Sequence, residues 1–116
     1  MAWTDTNWKA ESQKAATYAA ENNAREGPVG VMRWGPPGTV AIYGHASESG
    51  VHQARAIHCA MVTRTLLANA QVEVLSASLD SKKRAWAILV ESDALDLLDA
   101  IVDEAWEIAE PMVGLI

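Results

Sequence analysis

The residues best suited to chemistry fall in one short stretch, where Gly44 to Cys59 carries His45, Ser47, Ser49, His52, His58 and Cys59. Imidazoles are acid–base groups near neutral pH, and hydroxyls and thiols are nucleophiles once a base activates them. Ser49-Gly50-Val51 stands where a strand gives way to a helix, and the unpaired first amides of a helix, at its positive dipole end, receive carboxylates and phosphates. His45, Ser49, Gly50 and His52 are therefore the candidate ligand-binding residues. Spacing weakens each chemistry in turn. Gly44-His45-Ala46-Ser47-Glu48-Ser49-Gly50 is neither a phosphate loop nor a dinucleotide fingerprint, and a turn capped by Ser47 or Ser49 is the simpler reading. No Cys-x-x-Cys or His-Glu-x-x-His pattern exists, so no metal site is expected. His52 and Cys59 share a helix side but stand about 10 Å apart along it, too far for one ion. His58 is expected to pack beside Val51 and Val62 with its ring bonded to a backbone carbonyl, and Cys59 to be a small buried hydrophobe. A reactive Cys59 paired with His45 or His52 is the alternative, and it needs exposure and a lowered thiol pKa. No catalytic residue and no cofactor is assigned.

Composition narrows the partners. The 116 residues are half hydrophobic and carry a formal charge of −6, with a pI near 4.9. Such a chain suits one folded domain spanning residues 1–116, and it repels nucleic-acid phosphates and anionic lipid. One cysteine, Cys59, excludes an intrachain disulfide, which fits a cytoplasmic setting. The N-terminus has no basic stretch followed by an apolar run, and no apolar run reaches the ~18 residues of a membrane span.

Periodicity then places the elements. An Ala-rich run from Trp8 to Arg25 follows the possible caps Thr4 to Asn7 and predicts a helix with Trp8, Ala15, Tyr18 and Ala19 inward. Val29–Trp34 and Thr39–Gly44 predict a hairpin broken at Gly35-Pro36-Pro37-Gly38, because the prolines cannot donate ladder bonds and the glycines accept positive φ. On the second strand Val40 and Ile42 face one way and Ala41 and Tyr43 the other. A second helix, Val51 to Ala68, scatters Ile57, Met61, Val62, Leu66 and Leu67 around its circumference, which predicts a second contact surface, from another helix or from a partner subunit, with a homodimer contact favoured. Val72–Asp80 and Ala85–Glu91 form another strand pair, with Trp86, Ile88 and Val90 on one face. Ser92-Asp93 caps a third helix that Pro111 is expected to end. The result is an α+β domain of order α-ββ-α-ββ-α, mainly antiparallel sheet packed by helices. That order of elements resembles profilin-like adaptor domains of the roadblock type, which implies dimerisation and a scaffolding role. The likeness is one of order alone, which ferredoxin-like and other small α+β sheets share.

The third helix separates charge from apolar surface most cleanly. Asp96, Asp99, Asp103, Glu107 and Glu110 share one face, and Leu95, Leu98, Ile101, Val102, Ala105 and Ile108 the other. A solubilising outer surface is the simpler reading of the carboxylates; the functional one is a docking strip for a basic protein, or a mimic of a nucleic-acid backbone that occupies a phosphate-binding groove. Five tryptophans stand without a phenylalanine. Trp86 and Trp106 are expected in the core, whereas Trp3 and Trp34 are candidates for contact anchors or for folding back over the sheet edge; Arg25 and Arg33 beside them read as surface charges. The combined expectation is a non-enzymatic acidic interaction protein that binds a macromolecule through Asp96, Asp99, Asp103 and Glu107 or through the Trp34 hairpin tip. A small-ligand binder or modest enzyme near His45, His52 and Cys59 is the alternative.

Overall fold

Four strands and three helices alternate along the described residues, 7–22, 29–45, 50–80 and 85–113, of a computed structural model: α1 (Trp8–Asn22), β1 (Val29–Arg33), β2 (Thr39–His45), α2 (Gly50–Asn69), β3 (Glu73–Asp80), β4 (Ala85–Glu91) and α3 (Leu95–Val113). The order is the α-ββ-α-ββ-α expected, in one α+β domain. All the strands join one sheet in the order β1-β2-β4-β3, with every neighbouring pair antiparallel. Each hairpin supplies one outer and one inner strand, and α2 carries the chain from β2 past β4 to β3.

Local signals account for the ends. Asn7 Oδ1 accepts the Ala10 amide at 3.1 Å and caps α1. Gly35 and Gly38 take φ of 85° and 87° in the hairpin loop, a region side chains avoid. At the end of α2, Gln71 sits at φ 60° while the amides of Gln71 and Val72 return to the carbonyls of Ala68 and Leu67 at 3.1 and 2.9 Å. That is a Schellman closure with glutamine in the position that glycine usually takes. Ser92 Oγ accepts the Ala94 amide at 3.1 Å and opens α3. Pro111 does not end α3, which runs on to Val113. In the last turn a missing N–H removes a single helical bond, so the chain keeps its helical course for two more residues.

The inner strands β2 and β4 are covered on both faces. On one face α1 packs on β2, β3 and β4, where Ala15, Ala16, Ala41, Ala87 and Leu89 allow close approach and Trp8, Met32, Trp34 and Leu75 close the rim. On the other, α2 and α3 bury Ala56, Cys59, Leu67, Leu98, Val102 and Ala105 against Val40, Ile42, Trp86, Ile88 and Val90. The second contact of α2 is thus α3. Tyr18 is 45% exposed and Ile108 41%, so neither is the inward residue that helical phase suggests. Tyr18 tilts onto Trp34 instead, with ring centroids 5.7 Å apart in an edge contact, and Ile108 lies at the margin of its apolar stripe, beside the exposed Glu107. Trp86 is buried as expected; Trp106 is only half-buried and packs at the edge of the core.

Each face also seats an aromatic ring on a glycine directly across the ladder. Gly30 pairs with Tyr43 and Gly44 with Trp86. A Cβ at Gly44 would stand 2.5 Å from Trp86 Cε2 and 2.7 Å from Cζ2, and one at Gly30 would stand 2.5 Å from the Tyr43 hydroxyl.

Candidate functional site

The strip from His45 to Cys59 holds no assembled reaction centre among the described residues. His45 ends β2 and is buried. Cys59 is also buried, on the side of α2 that meets α3, with its Sγ 3.9 Å from both Thr63 Oγ1 and the Val102 carbonyl. Burial pushes its pKa up to about 11, against smaller lowering effects from the Thr63 hydrogen bond and Arg55. A reactive thiol needs the opposite on both counts, so Cys59 is the buried small hydrophobe. His58 Nδ1 is buried without a hydrogen-bond partner among the described residues, so the expected carbonyl bond is not made through that nitrogen. With the proton on Nε2, Nδ1 is only an acceptor, and its isolation costs less than that of a stranded N–H. Ser47, Ser49, Trp3 and Arg25 lie outside the described residues, as do the side chains of Gly50, His52 and Glu110. No group of three metal-ligating side chains occurs among the described residues.

The acidic face of α3 stands in solvent as its phase requires, with Asp96, Asp99, Asp103 and Glu107 all exposed. None has a Lys or Arg within 4.0 Å among the described residues. Partial burial on the helix raises the Asp103 pKa, and the charges of Asp99 and Glu107 raise it further. The carboxylates therefore crowd one another, and a bound cation would relieve that repulsion.

Trp34 is half-buried over α1 and does not project from the hairpin. The loop beyond it, Pro36-Pro37-Gly38, is tied to the start of α3. The Ser92 amide donates to the Gly38 carbonyl at 2.8 Å, and Arg33 Nη1 meets Asp93 Oδ1 at 3.8 Å. A trough of about 540 Å³ lies at this junction, with Trp8, Pro36, Pro37 and Leu75 as apolar walls and Glu91 and Asp93 as carboxylates. The two surfaces singled out from sequence are thus neighbours. Trp8, Glu91 and Asp93 were not anticipated there, because only the pairing of β2 with β4 brings the hairpin loop to the end of β4.

A separate groove of about 320 Å³ opens between α2 and the outer strand β3, lined by Ile57, Met61 and Arg64 of α2, Leu79 of β3, Trp86 of β4 and Lys9 of α1, with smaller residues between them. Its nearest sequence signal is the scatter of apolar residues on α2, of which Ile57 and Met61 remain 40% and 60% exposed.

No protein-family model, curated protein or solved structure matches this chain. No helix among the described residues is long and apolar enough to cross a membrane.

Proposed function

We propose that this chain is a non-enzymatic, acidic interaction protein of the cytoplasm that acts as a homodimer and captures a basic macromolecular partner. The partner lies along Asp96, Asp99, Asp103 and Glu107 and sets a Lys or Arg side chain in the trough between Trp8, Pro36, Pro37, Glu91 and Asp93. The observation that supports this reading is the junction itself: a carboxylate row with no Lys or Arg within 4.0 Å among the described residues begins at Asp96, three residues beyond a trough that is walled by Trp8 and carries Glu91 and the Arg33-paired Asp93. Aromatic faces and carboxylates together favour cations over other groups. Self-association is supported by the exposed Ile57 and Met61 of α2, whose burial in a second copy would remove apolar surface from water. Cytoplasmic placement rests on the lone buried thiol, for which an oxidising compartment has no use.

The test is titration of a labelled Lys/Arg-rich peptide into the full chain at rising salt. Affinity is expected to fall steeply with ionic strength. The fourfold variant Asp96→Asn, Asp99→Asn, Asp103→Asn, Glu107→Gln is expected to lose the peptide, while each single Asp→Asn change leaves folding stability within roughly 0.5 kcal/mol. Salt-independent binding, or full binding by the fourfold variant, refutes the acidic-face reading. A sedimentation mass of one chain at high micromolar concentration refutes the dimer.

A further inference from the structure

The cations among the described residues are Lys9, Lys14, Arg33, Arg55 and Arg64. Lys14 pairs with Glu11 at 3.0 Å and Arg33 with Asp93 at 3.8 Å. Arg55 lies 3.9 Å over the Trp106 ring and donates through Nε and Nη2 to the Trp106 carbonyl at 3.1 and 2.9 Å. Lys9 and Arg64 remain, with no carboxylate within 4.0 Å among the described residues, and both line the α2–β3 groove. Lys9 reaches round the outer strand and donates to the Ala77 carbonyl at 3.1 Å, which leaves its ammonium two further donors. Between these cations the groove is apolar: Ile57, Met61 and Leu79 are exposed at 40%, 60% and 54%, and Trp86 and Ile88 close the floor. In a chain of net charge −6, two cations with no anionic partner among the described residues, on one apolar groove, are complementary to an anion that carries its own apolar body.

We propose that this groove is a binding site for a small amphipathic carboxylate, its apolar body laid along Ile57, Met61 and Leu79 and its carboxylate held by Arg64 in the field of Lys9. The volume of about 320 Å³ lies at the lower end of the roughly 300–1,000 Å³ of ligand pockets, which suits a short apolar chain and not a nucleotide. Apolar walls give a bare inorganic anion nothing to bury, and the cations give a neutral lipid no head-group partner. This site is independent of the acidic face and goes beyond the interaction role proposed above, but it uses the Ile57 and Met61 surface offered there for self-association, so a bound carboxylate and a second copy exclude one another at this groove. An acidic, apolar segment of a second copy has related chemistry, so the test separates the two.

Octanoate is titrated into the full chain, with 1-octanol as the neutral counterpart, while amide shifts report position and sedimentation reports mass. Saturable shifts are expected at Ile57 to Arg64 and at Ala77 to Ile88, with octanoate binding more tightly than 1-octanol. Arg64→Gln is expected to weaken octanoate about three- to tenfold, the loss of one charge-assisted contact at an open site, with the mass unchanged. Leu79→Glu is expected to abolish the shifts while peptide capture at the acidic face persists, which also shows that this variant folds. Equal binding of 1-octanol, unchanged affinity in Arg64→Gln, or no saturable shift overturns the site. Loss of dimer mass in Arg64→Gln overturns it in favour of a second copy as occupant. A wild-type protein that is monomeric yet binds octanoate upholds the groove while refuting the dimer, so the two readings fail separately.

Discussion

Replacing Gly44 with alanine adds one methyl group where the indole of Trp86 already lies. The added carbon would stand 2.5 Å from Cε2 and 2.7 Å from Cζ2, well inside carbon–carbon contact. Trp86 is 2% exposed and packed under the α2–α3 layer, so its ring can yield only towards the α2–β3 groove whose floor it forms, at the cost of its core contacts. Forcing a methylene into a packed core costs roughly 1–3 kcal/mol, against which alanine recovers up to about 1 kcal/mol of glycine's excess backbone entropy. The net expectation is a loss of about 1–2 kcal/mol. For a domain of this size that lowers Tm by roughly 4–8 °C. Urea unfolding followed by far-UV circular dichroism measures it. The cause is isolated by repeating the change in a Trp86→Leu background: with no ring over Gly44, the same methyl should cost less than about 0.5 kcal/mol, a coupling of about 1 kcal/mol or more between adjacent sites. Equal stability of Gly44→Ala and wild type, with Trp86 present, would falsify the seating of the ring on the glycine and the β2–β4 register that puts it there.

Leu98→Ala should cost about 2–5 kcal/mol in the same assay, because Leu98 is fully buried and the site loses three carbons and gains a cavity; a harmless change refutes the phase of α3. Gln71→Gly should raise stability by about 0.5–1 kcal/mol by removing the left-handed strain at φ 60°, and a loss of stability shows that the glutamine side chain holds that turn. Cys59 should resist a disulfide reagent at pH 8 in the native protein and react at once in urea. Its folded pKa of about 11 lies above the unfolded value near 9.0, so the neutral thiol's contribution is complete below pH 9 and declines as pH rises towards 11. Rapid native labelling, or stability flat across that window in comparison with Cys59→Ala, contradicts the burial.

Element order, hairpin positions and the faces of β2, β4 and α3 are legible in the chain because each is a local property. Alternation places Val40 and Ile42 opposite Ala41, and spacings of three and four gather Asp96, Asp99, Asp103 and Glu107 whatever the helix packs on. The unusual burial of α2 is legible too, as apolar residues on every side, but not its cause. That helix meets α3 on one flank and opens a groove on the other, and no local pattern distinguishes an intramolecular neighbour from an absent one. Tyr18, Ile108 and Pro111 depart from expectation where an element reaches its margin. There the identity of the neighbour, or its absence, decides exposure, and side-chain type does not.

Strand order belongs wholly to the tertiary structure. Hairpins specify that β1 pairs with β2 and β3 with β4, whereas only the packing of both helical layers selects β2 against β4 as the central pair. That pairing seats Trp86 on Gly44, brings the Pro36-Pro37 loop to Asp93, and leaves β3 as the outer strand around which Lys9 reaches towards the groove that Arg64 also lines. The sequence alone therefore determined which faces are apolar and where charge accumulates, through short-range periodicity. Which of those faces meet, and hence where a trough and a groove remain, depends on contacts between residues far apart in the chain, whose free energy exists only once the whole sheet has assembled.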